Sequence, residues 1–540
     1  MPMTADRPAM AGTAADSVPG GAAAGDGDTA RSPGQRALSG GGWEGRPPGP
    51  ALYAAIADAG SLARFGGQIE AVDPAGWPGY PGQLRGARAA AGVPHAVTTG
   101  VATVGGEQCV LVGFEFSFLG GSIGEAEGAR IAAAFDLAVG RGLPVVSVAQ
   151  SGGMRMQEGS SALVQMQVVA GAIARARRAG MPHIAVAGDP TTGGVWASLV
   201  ASADVIMGVH GAQVSFSGSR TRPACADPAA NEFRAEGQWA GGFLDMIVPE
   251  ERLRGEVAAV VSLLSPQTRG EATNGAPPPA ATTAPPAATT PPPAATTPPP
   301  AATTAPASAA SAPASAPGAG DAATAGSQDA WLQVSRARTR RRPRAEQWLA
   351  GYFGRSFEIR GDRTGAVDPG LRCGFGSRGG VTIGYIAQTG QPTTAAGFRT
   401  AARLLDLAER FGRPVITLID TPGAANEPQD EAAGVGPAIA ELLIAVASAS
   451  VPVTSVIIGE GVSGGALALA APGRLWLGPD GYLAVTSPEH AASILKLPAS
   501  DAPRVAGLLR LTPADLCRRG IARGVLRPPP GGPGQPWAER

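Results

Sequence analysis

Residues 141–153, RGLPVVSVAQSGG, and residues 179–198, AGMPHIAVAGDPTTGGVWAS, decide the fold. In each, a short apolar, β-favouring run stops at glycine just before a helical pattern. The run PVVSVA (144–149) leads to Ser151-Gly152-Gly153, and HIAVAG (183–188) leads to Asp189-Pro190-Thr191-Thr192-Gly193-Gly194. An amphipathic stretch, 124–141, precedes the first run, and a long helical pattern, 155–179, separates the two. A small-residue helix and a further strand, ADVIMG, follow. Strands alternating with helices at this spacing predict an α/β unit with a parallel sheet.

The same order of elements returns in FGRPVITLIDTPGA (411–424) and ASVPVTSVIIGEGVSGGALA (449–468). A helix over 395–411 places Phe398, Ala401, Leu405, Ala408 and Phe411 on one face and leads to the strand PVITLI (414–419). A helix over 432–448 then leads to the strand PVTSVII (452–458), the turn 459–465 and the strand RLWLG. The two segments are an internal duplication at the level of pattern.

Working outward, 540 residues suit two domains better than one. Residues 1–45 hold Ala, Gly, Asp and Pro with almost no large apolar side chains, so they are expected to be a disordered tail. Residues 266–328 repeat a Pro-Pro-Pro-Ala-Ala-Thr-Thr unit. Its sevenfold period invites a coiled coil, but proline forbids the helix, and a semi-extended linker is expected. The folded units are then 46–265 and 329–530.

Composition excludes several chemistries. Lys+Arg and Asp+Glu are 43 each, so no charge excess marks a nucleic-acid binder. The lone lysine, Lys496, lies outside any phosphate-binding glycine loop, which nearly excludes a P-loop and Schiff-base catalysis. Cys109, Cys225, Cys373 and Cys517 are too far apart for a zinc cluster or a disulfide framework, and the four histidines lack ligand spacing, so no metal is expected. The start has no signal-peptide pattern and no apolar run reaches membrane-spanning length, which favours a cytoplasmic protein without membrane contact.

The glycine turns are where chemistry is expected. Where a strand hands over to a helix, peptide N–H groups stand unpaired, and two that converge can stabilise an oxyanion. A lone Gly-Gly is a tight turn; four at matched places are harder to dismiss. Glu158 and Glu460 could serve as acid–base carboxylates, but in a first helical turn they more often complement the helix dipole. The run Arg336, Arg338, Arg340, Arg341, Arg342 and Arg344 reads as a solvated flank, and Trp331 and Trp348 as packing anchors.

The residues also carry a resemblance. Phe116-Ser117-Phe118-Leu119-Gly120-Gly121-Ser122-Ile123-Gly124, Ser151 through Gly159, Asp189 through Val195, Phe216-Ser217-Gly218 and Gly242 through Val248 resemble the β subunit of the bacterial acetyl-CoA carboxylase carboxyltransferase. Phe357 through Arg363, Gly397-Phe398-Arg399, Ile419 through Ala424 and Gly459 through Ala468 resemble its α subunit. The resemblance covers roughly 100–250 and 335–527. It implies two crotonase-like (ClpP/crotonase superfamily) ββα-superhelix domains, one of each type, fused in one chain.

By that resemblance a carboxyl group passes from carboxybiotin, borne by a separate biotin carboxyl carrier protein charged by a biotin carboxylase, to acetyl-CoA, giving malonyl-CoA. Gly193, Gly194, Gly464 and Gly465 would be the catalytic oxyanion positions. Gly120, Gly121, Gly152, Gly153 and Arg155 would meet the acyl-CoA, and Gly423 and Ala424 the biotin. The proton would go to the freed biotin nitrogen, which matches the scarcity of His and Lys. At least a homodimer is implied, because the family sets each site between a β-type and an α-type half. Against the family pattern, the zinc ribbon is absent, Val462 replaces a usual glycine, and Asn426 through Ala433 shorten a charged stretch. A malonyl-thioester decarboxylase, another crotonase-fold hydratase and a non-catalytic acyl-CoA-binding scaffold are the competing readings.

Overall fold

The computed structural model describes residues 51–66, 69–218, 231–265, 319–527 and 538–539. The expected tail and nearly all of the expected linker lie outside these. The linker's end differs: a helix spans Ala319–Arg338, so the last residues assigned to the linker belong to the element that opens the second half.

The first half is built on β1 (Ala63–Arg64), β2 (Val97–Val104), β3 (Glu107–Phe114), β4 (Val145–Ser151), β5 (His183–Thr192), β6 (Val205–Val209), β7 (Val214–Ser215) and β8 (Met246–Val248). Their order is β1-β2-β3-β4-β5-β6-β8, with β7 beside β5. The second half uses β9 (Arg355–Ile359), β10 (Leu371–Arg378), β11 (Val381–Gln388), β12 (Val415–Thr421), β13 (Val453–Val462), β14 (Leu475–Leu477) and β15 (Tyr482–Ala484). Here the order is β14-β13-β12-β11-β10-β9, with β15 beside β13. The sequence pattern predicts the parallel strands, and both sheets are in fact mixed. The hairpins β2–β3 and β10–β11 add an antiparallel edge, each turning on a glycine pair at positive φ, Gly105-Gly106 and Gly379-Gly380.

The duplication extends to register. β4 pairs with β5 from Val145↔His183 to Ala149↔Ala187, then slips so that Ser151 faces Thr191. β12 pairs with β13 from Val415↔Val453 to Ile419↔Ile457, then slips so that Thr421 faces Gly461. That bulge at the end of each sheet splays the strand tips and turns the following loop outward. It also carries the overlay of the two copies residue by residue: Gly193 is equivalent to Ser463, and both hold a left-handed backbone at φ +63° and +59°. Gly194 is equivalent to Gly464.

Helix Ala395–Arg410 buries Phe398, Ala401, Leu405 and Ala408 as its periodicity predicts, but Phe411 is its C-cap and points out, 53% exposed. The single helix predicted for 155–179 is broken into a turn at Met156–Glu158, a short helix Ser160–Leu163 and a long one, Gln165–Arg178. Gly159 at φ +57° makes the break, and a Cβ there would press on the Leu509 carbonyl of the second half at 2.7 Å. The helix yields where the other half arrives.

One continuous apolar core, from Leu52 to Ala522, joins the two halves. Helix Val435–Ser448 lies against Gln165–Arg178 and the Trp196–Val200 turn, with the Trp196 indole seated over Gly436. Polar contacts also cross the seam: Ser160 Oγ donates to the Leu483 carbonyl at 2.9 Å, Arg519 to Ser161 Oγ at 2.9 Å, and Arg510 to the Ala75 carbonyl at 3.1 Å. No helix among the described residues is long and apolar enough to cross a membrane.

Candidate functional site

After each bulge the chain makes the same turn with the same hydrogen bonds. Ser151 Oγ donates to the Gly121 carbonyl (2.7 Å) and accepts from Gly153 N–H (3.0 Å). Thr421 Oγ1 donates to the Gln391 carbonyl (2.9 Å) and accepts from Gly423 N–H (3.2 Å). Ile123 N–H donates to the Gly153 carbonyl at 3.0 Å, and Thr393 N–H to that of Gly423 at 3.2 Å. Gly153 and Gly423 lie at φ +108° and +136°, where a side chain would be strained.

Between the halves lies a cavity of about 290 Å³ onto which both turns open. Gly152, Gly153, Thr192, Gly193 and Gly194 line it from the first half, and Pro422, Gly423, Ala424, Val462 and Ser463 from the second. Its apolar surface comes from Met154, Met156, Phe216, Val485 and Ile494. Within this one chain a half of each type meets at the cavity.

The other expected site residues sit elsewhere. Gly120 accepts from Gly152 N–H at 2.9 Å, and Gly121 lies against the Gln150 carbonyl, so this pair supports the turn from behind. Gly464 packs beneath Met166 and Phe216, and Gly465 against the Gly423-Ala424 peptide. Val462, despite replacing a usual glycine, has an ordinary extended backbone, φ −110° and ψ 128°.

Arg155 does not reach the cavity. Its side chain is fully buried, 2.9 Å from Glu127 and 3.1 Å from Glu158, and it donates to Tyr80 Oη (3.2 Å) and the Ser122 carbonyl (2.5 Å). Tyr80 Oη in turn donates to Glu158 at 2.5 Å, and Glu125 N–H donates to the same carboxylate at 2.6 Å. Burial works to raise the Glu127 carboxyl, but the Arg155 guanidinium and the Gly124 and Ala96 N–H groups hold it below the usual range. For Glu158 burial prevails over the same arginine, and its carboxyl is raised. Burial pushes the Tyr80 phenol up as well. This cluster fixes the loops 121–124 and 153–159; Glu158 is neither a dipole complement at the surface nor a cavity acid.

The second turn is braced differently. Asp420, just before Thr421, takes two bonds from Arg342 at 2.6 Å, one from Arg344 at 3.0 Å and one from Glu460 N–H at 3.1 Å. Arg338 holds Glu460 (3.0 Å) and Glu489 (2.6 Å), and Glu460 also accepts from Tyr482 Oη (2.7 Å). The arginine run is a solvated flank only in part: Arg336, Arg338, Arg340 and Arg341 are exposed, while its end folds back under the site, with Arg342 only 5% exposed. Trp348 is buried and Trp331 packs at the core edge, as anchors.

Glu431, in the stretch that is shortened against the family pattern, clamps the two halves. Its carboxylate accepts from Phe216 N–H (3.0 Å) and Ser217 N–H (2.7 Å). Met154, Met156, Phe216, Val485, Thr486, His490 and Ile494 also line the cavity and are not among the expected site residues. Met154 and Met156 lie in the Ser151-to-Gly159 motif and Phe216 in the Phe216-Ser217-Gly218 motif, whereas the residues 485–494 carry no local signal.

Two glycine turns opposed across one cavity fit a carboxyltransferase, and the comparisons agree. Residues 72–298 match the family described as "Carboxyl transferase domain", and residues 321–538 the family described as "Acetyl co-enzyme A carboxylase carboxyltransferase-like". The chain is similar to the "acetyl-coenzyme A carboxylase carboxyl transferase subunits beta/alpha" of Salinispora arenicola, 36% identical over 89% of this chain and 82% of the relative. It is likewise similar to that of Saccharopolyspora erythraea, 34% identical over 89% and 81%, and of Clostridium tetani, 30% over 88% and 78%. The chain belongs to the acetyl-coenzyme A carboxylase carboxyl transferases in which the β and α subunits are fused.

Proposed function

We propose that this chain moves a carboxyl group between carboxybiotin, presented by a separate carrier protein, and acetyl-CoA, giving malonyl-CoA. The observation that carries the reading is the single cavity onto which a glycine turn from each half opens. The half 46–265 would take the acyl-CoA and the half 329–530 the biotin, on two crotonase-type domains. Carboxybiotin supplies the activated carboxyl group; the protein supplies binding, orientation and oxyanion stabilisation.

The hydrogen bonds narrow the donors. The N–H groups of Gly152, Gly153 and Gly423 are taken by Gly120, Ser151 and Thr421. The oxyanion role therefore passes to the next peptides, Met154 and Ala424, and on the first side to Gly194 in the first turn of its helix. The absence of a Cβ at Gly193-Gly194 and at Gly423 leaves the approach open for a thioester on one side and a ureido group on the other.

A biotin carboxylase and a carrier would be needed in trans, because Lys496 sits in Ile494-Leu495-Lys496-Leu497-Pro498 rather than in a carrier-type hairpin; the assembly would be cytoplasmic and homo-oligomeric. The test is the reverse reaction: malonyl-CoA should lose its carboxyl group only when free biotin is added. Decay that ignores biotin would mean a decarboxylase, and no decay a scaffold.

A further inference from the structure

Among the described residues lining the cavity, His490 is the one with an ionisable side chain. The rest are glycine, apolar residues, hydroxyl residues and the amides Gln213 and Asn426. Yet the reaction proposed above places a new carboxylate on the acyl group inside this space, and a carboxylate is costly to enclose without a donor.

His490 is held for such a task. It lies on the helix Pro488–Ile494, whose N-cap Ser487 accepts the His490 N–H at 3.2 Å. Its neighbour Glu489 is engaged on both oxygens by Arg338, at 2.6 and 3.1 Å, and Arg338 reaches on to Glu460 at the end of β13. The nearest acid is therefore tied down, and the helix is anchored to the strand that carries the second turn. The imidazole has the Glu489 carboxylate as a charged neighbour, lies on the cavity wall and remains exposed there. The strand before this segment, β15, lies against the first half through Ser160 Oγ and the Leu483 carbonyl. His490 thus belongs to the biotin-type half but follows a strand seated on the acyl-CoA-type half.

We infer that His490 donates a hydrogen bond to the carboxylate carried by the acyl-CoA, and so distinguishes the carboxylated ester from the uncarboxylated one. The inference rests on the carboxyltransferase reading for the location of that carboxylate. The full chain, titrated calorimetrically with malonyl-CoA and separately with acetyl-CoA, tests it. His490→Ala should weaken malonyl-CoA binding roughly ten-fold, as loss of a bond to a charged group does, and acetyl-CoA binding less than two-fold. His490→Gln keeps a neutral N–H donor and should recover part of the malonyl-CoA affinity. Equal weakening toward both esters, no weakening toward either, or an unmodified chain that binds neither would overturn the inference. Failure of the carboxyltransferase reading shows separately, as malonyl-CoA turnover that does not depend on biotin while the two affinities still differ in their response to His490.

Discussion

The two glycine turns have the same backbone and different supports. Around the first, a closed cluster within the first half, Tyr80, Glu127, Arg155 and Glu158, is sealed from solvent. Around the second, arginines from the segment entering the half reach back to Asp420, and Arg344 and Arg338 stay partly exposed. The shared part is what oxyanion chemistry needs: a bulge, a hydroxyl that fixes the turn, and a helix with glycine in its first turn. The divergent part is the electrostatic brace, which any arrangement that satisfies buried charges can supply. A duplicated site can therefore keep its backbone while its two copies acquire different substrates.

The largest expected effect divides the labour between the turns. Gly194→Val would drive a branched side chain into Met154 and Met166, and Gly465→Val would overlap the Gly423-Ala424 peptide. Each should cost roughly 100- to 1000-fold in biotin-dependent decarboxylation of malonyl-CoA. The first should raise KM for malonyl-CoA and the second KM for biotin, with circular dichroism as the folding control. If each substitution shifts both constants alike, the two turns do not serve different substrates.

The braces should differ in stability. Arg155→Met leaves Glu127 and Glu158 buried together without a cation, and a loss of about 3–5 kcal/mol is expected from chemical denaturation. Arg342→Met leaves Asp420 with Arg344 and the Glu460 N–H, so its loss should be the smaller. A larger loss at Arg342 would reverse the contrast between a sealed cluster and a shared one.

A finer contrast lies in Gly193 and Ser463, which occupy the same left-handed conformation. A side chain there costs about 1–2 kcal/mol, offset in part by glycine's greater chain entropy. Ser463→Gly should therefore stabilise by up to about 1 kcal/mol and Gly193→Ser should destabilise by a similar amount. Opposite signs would show that Ser463 is held by contacts worth more than its strain.

That pair also marks where sequence reading reached and stopped. Strand, glycine turn and helix are local patterns, and both copies of the α/β unit were legible in them. Overlaying the two copies already sets Gly193 against Ser463, and the matched bulges at Ala149/Ser151 and Ile419/Thr421 preserve that register; the left-handed backbone at Ser463 is what the letters do not carry. The end of the arginine run read as solvated because its partner, Asp420, is far away in sequence and charge patterning is a local signal. The break at Gly159 and the roles of Glu431 and His490 depend on the approach of the other half, which no window of sequence contains.

The smallest expected effect concerns what holds the two turns opposite each other. If the faces do so, the chain between them is dispensable. The seam has a continuous apolar core, and Glu431 binds two peptide N–H groups across it at 3.0 and 2.7 Å. Residues 275–310 contain no aromatic residue and no Leu, Ile, Val or Met that could add to that core. A protease site placed there should allow complete cleavage with less than two-fold change in biotin-dependent activity, and the fragments should co-elute in size-exclusion chromatography. Glu431→Gln in the cleaved protein should then loosen the pair, because a neutral amide offers its lone carbonyl to two donors that the carboxylate accepted separately. Fragments that separate on cleavage, before any substitution, would mean that the tether and not the seam opposes the turns. The two halves would then be independent domains rather than two walls of one site.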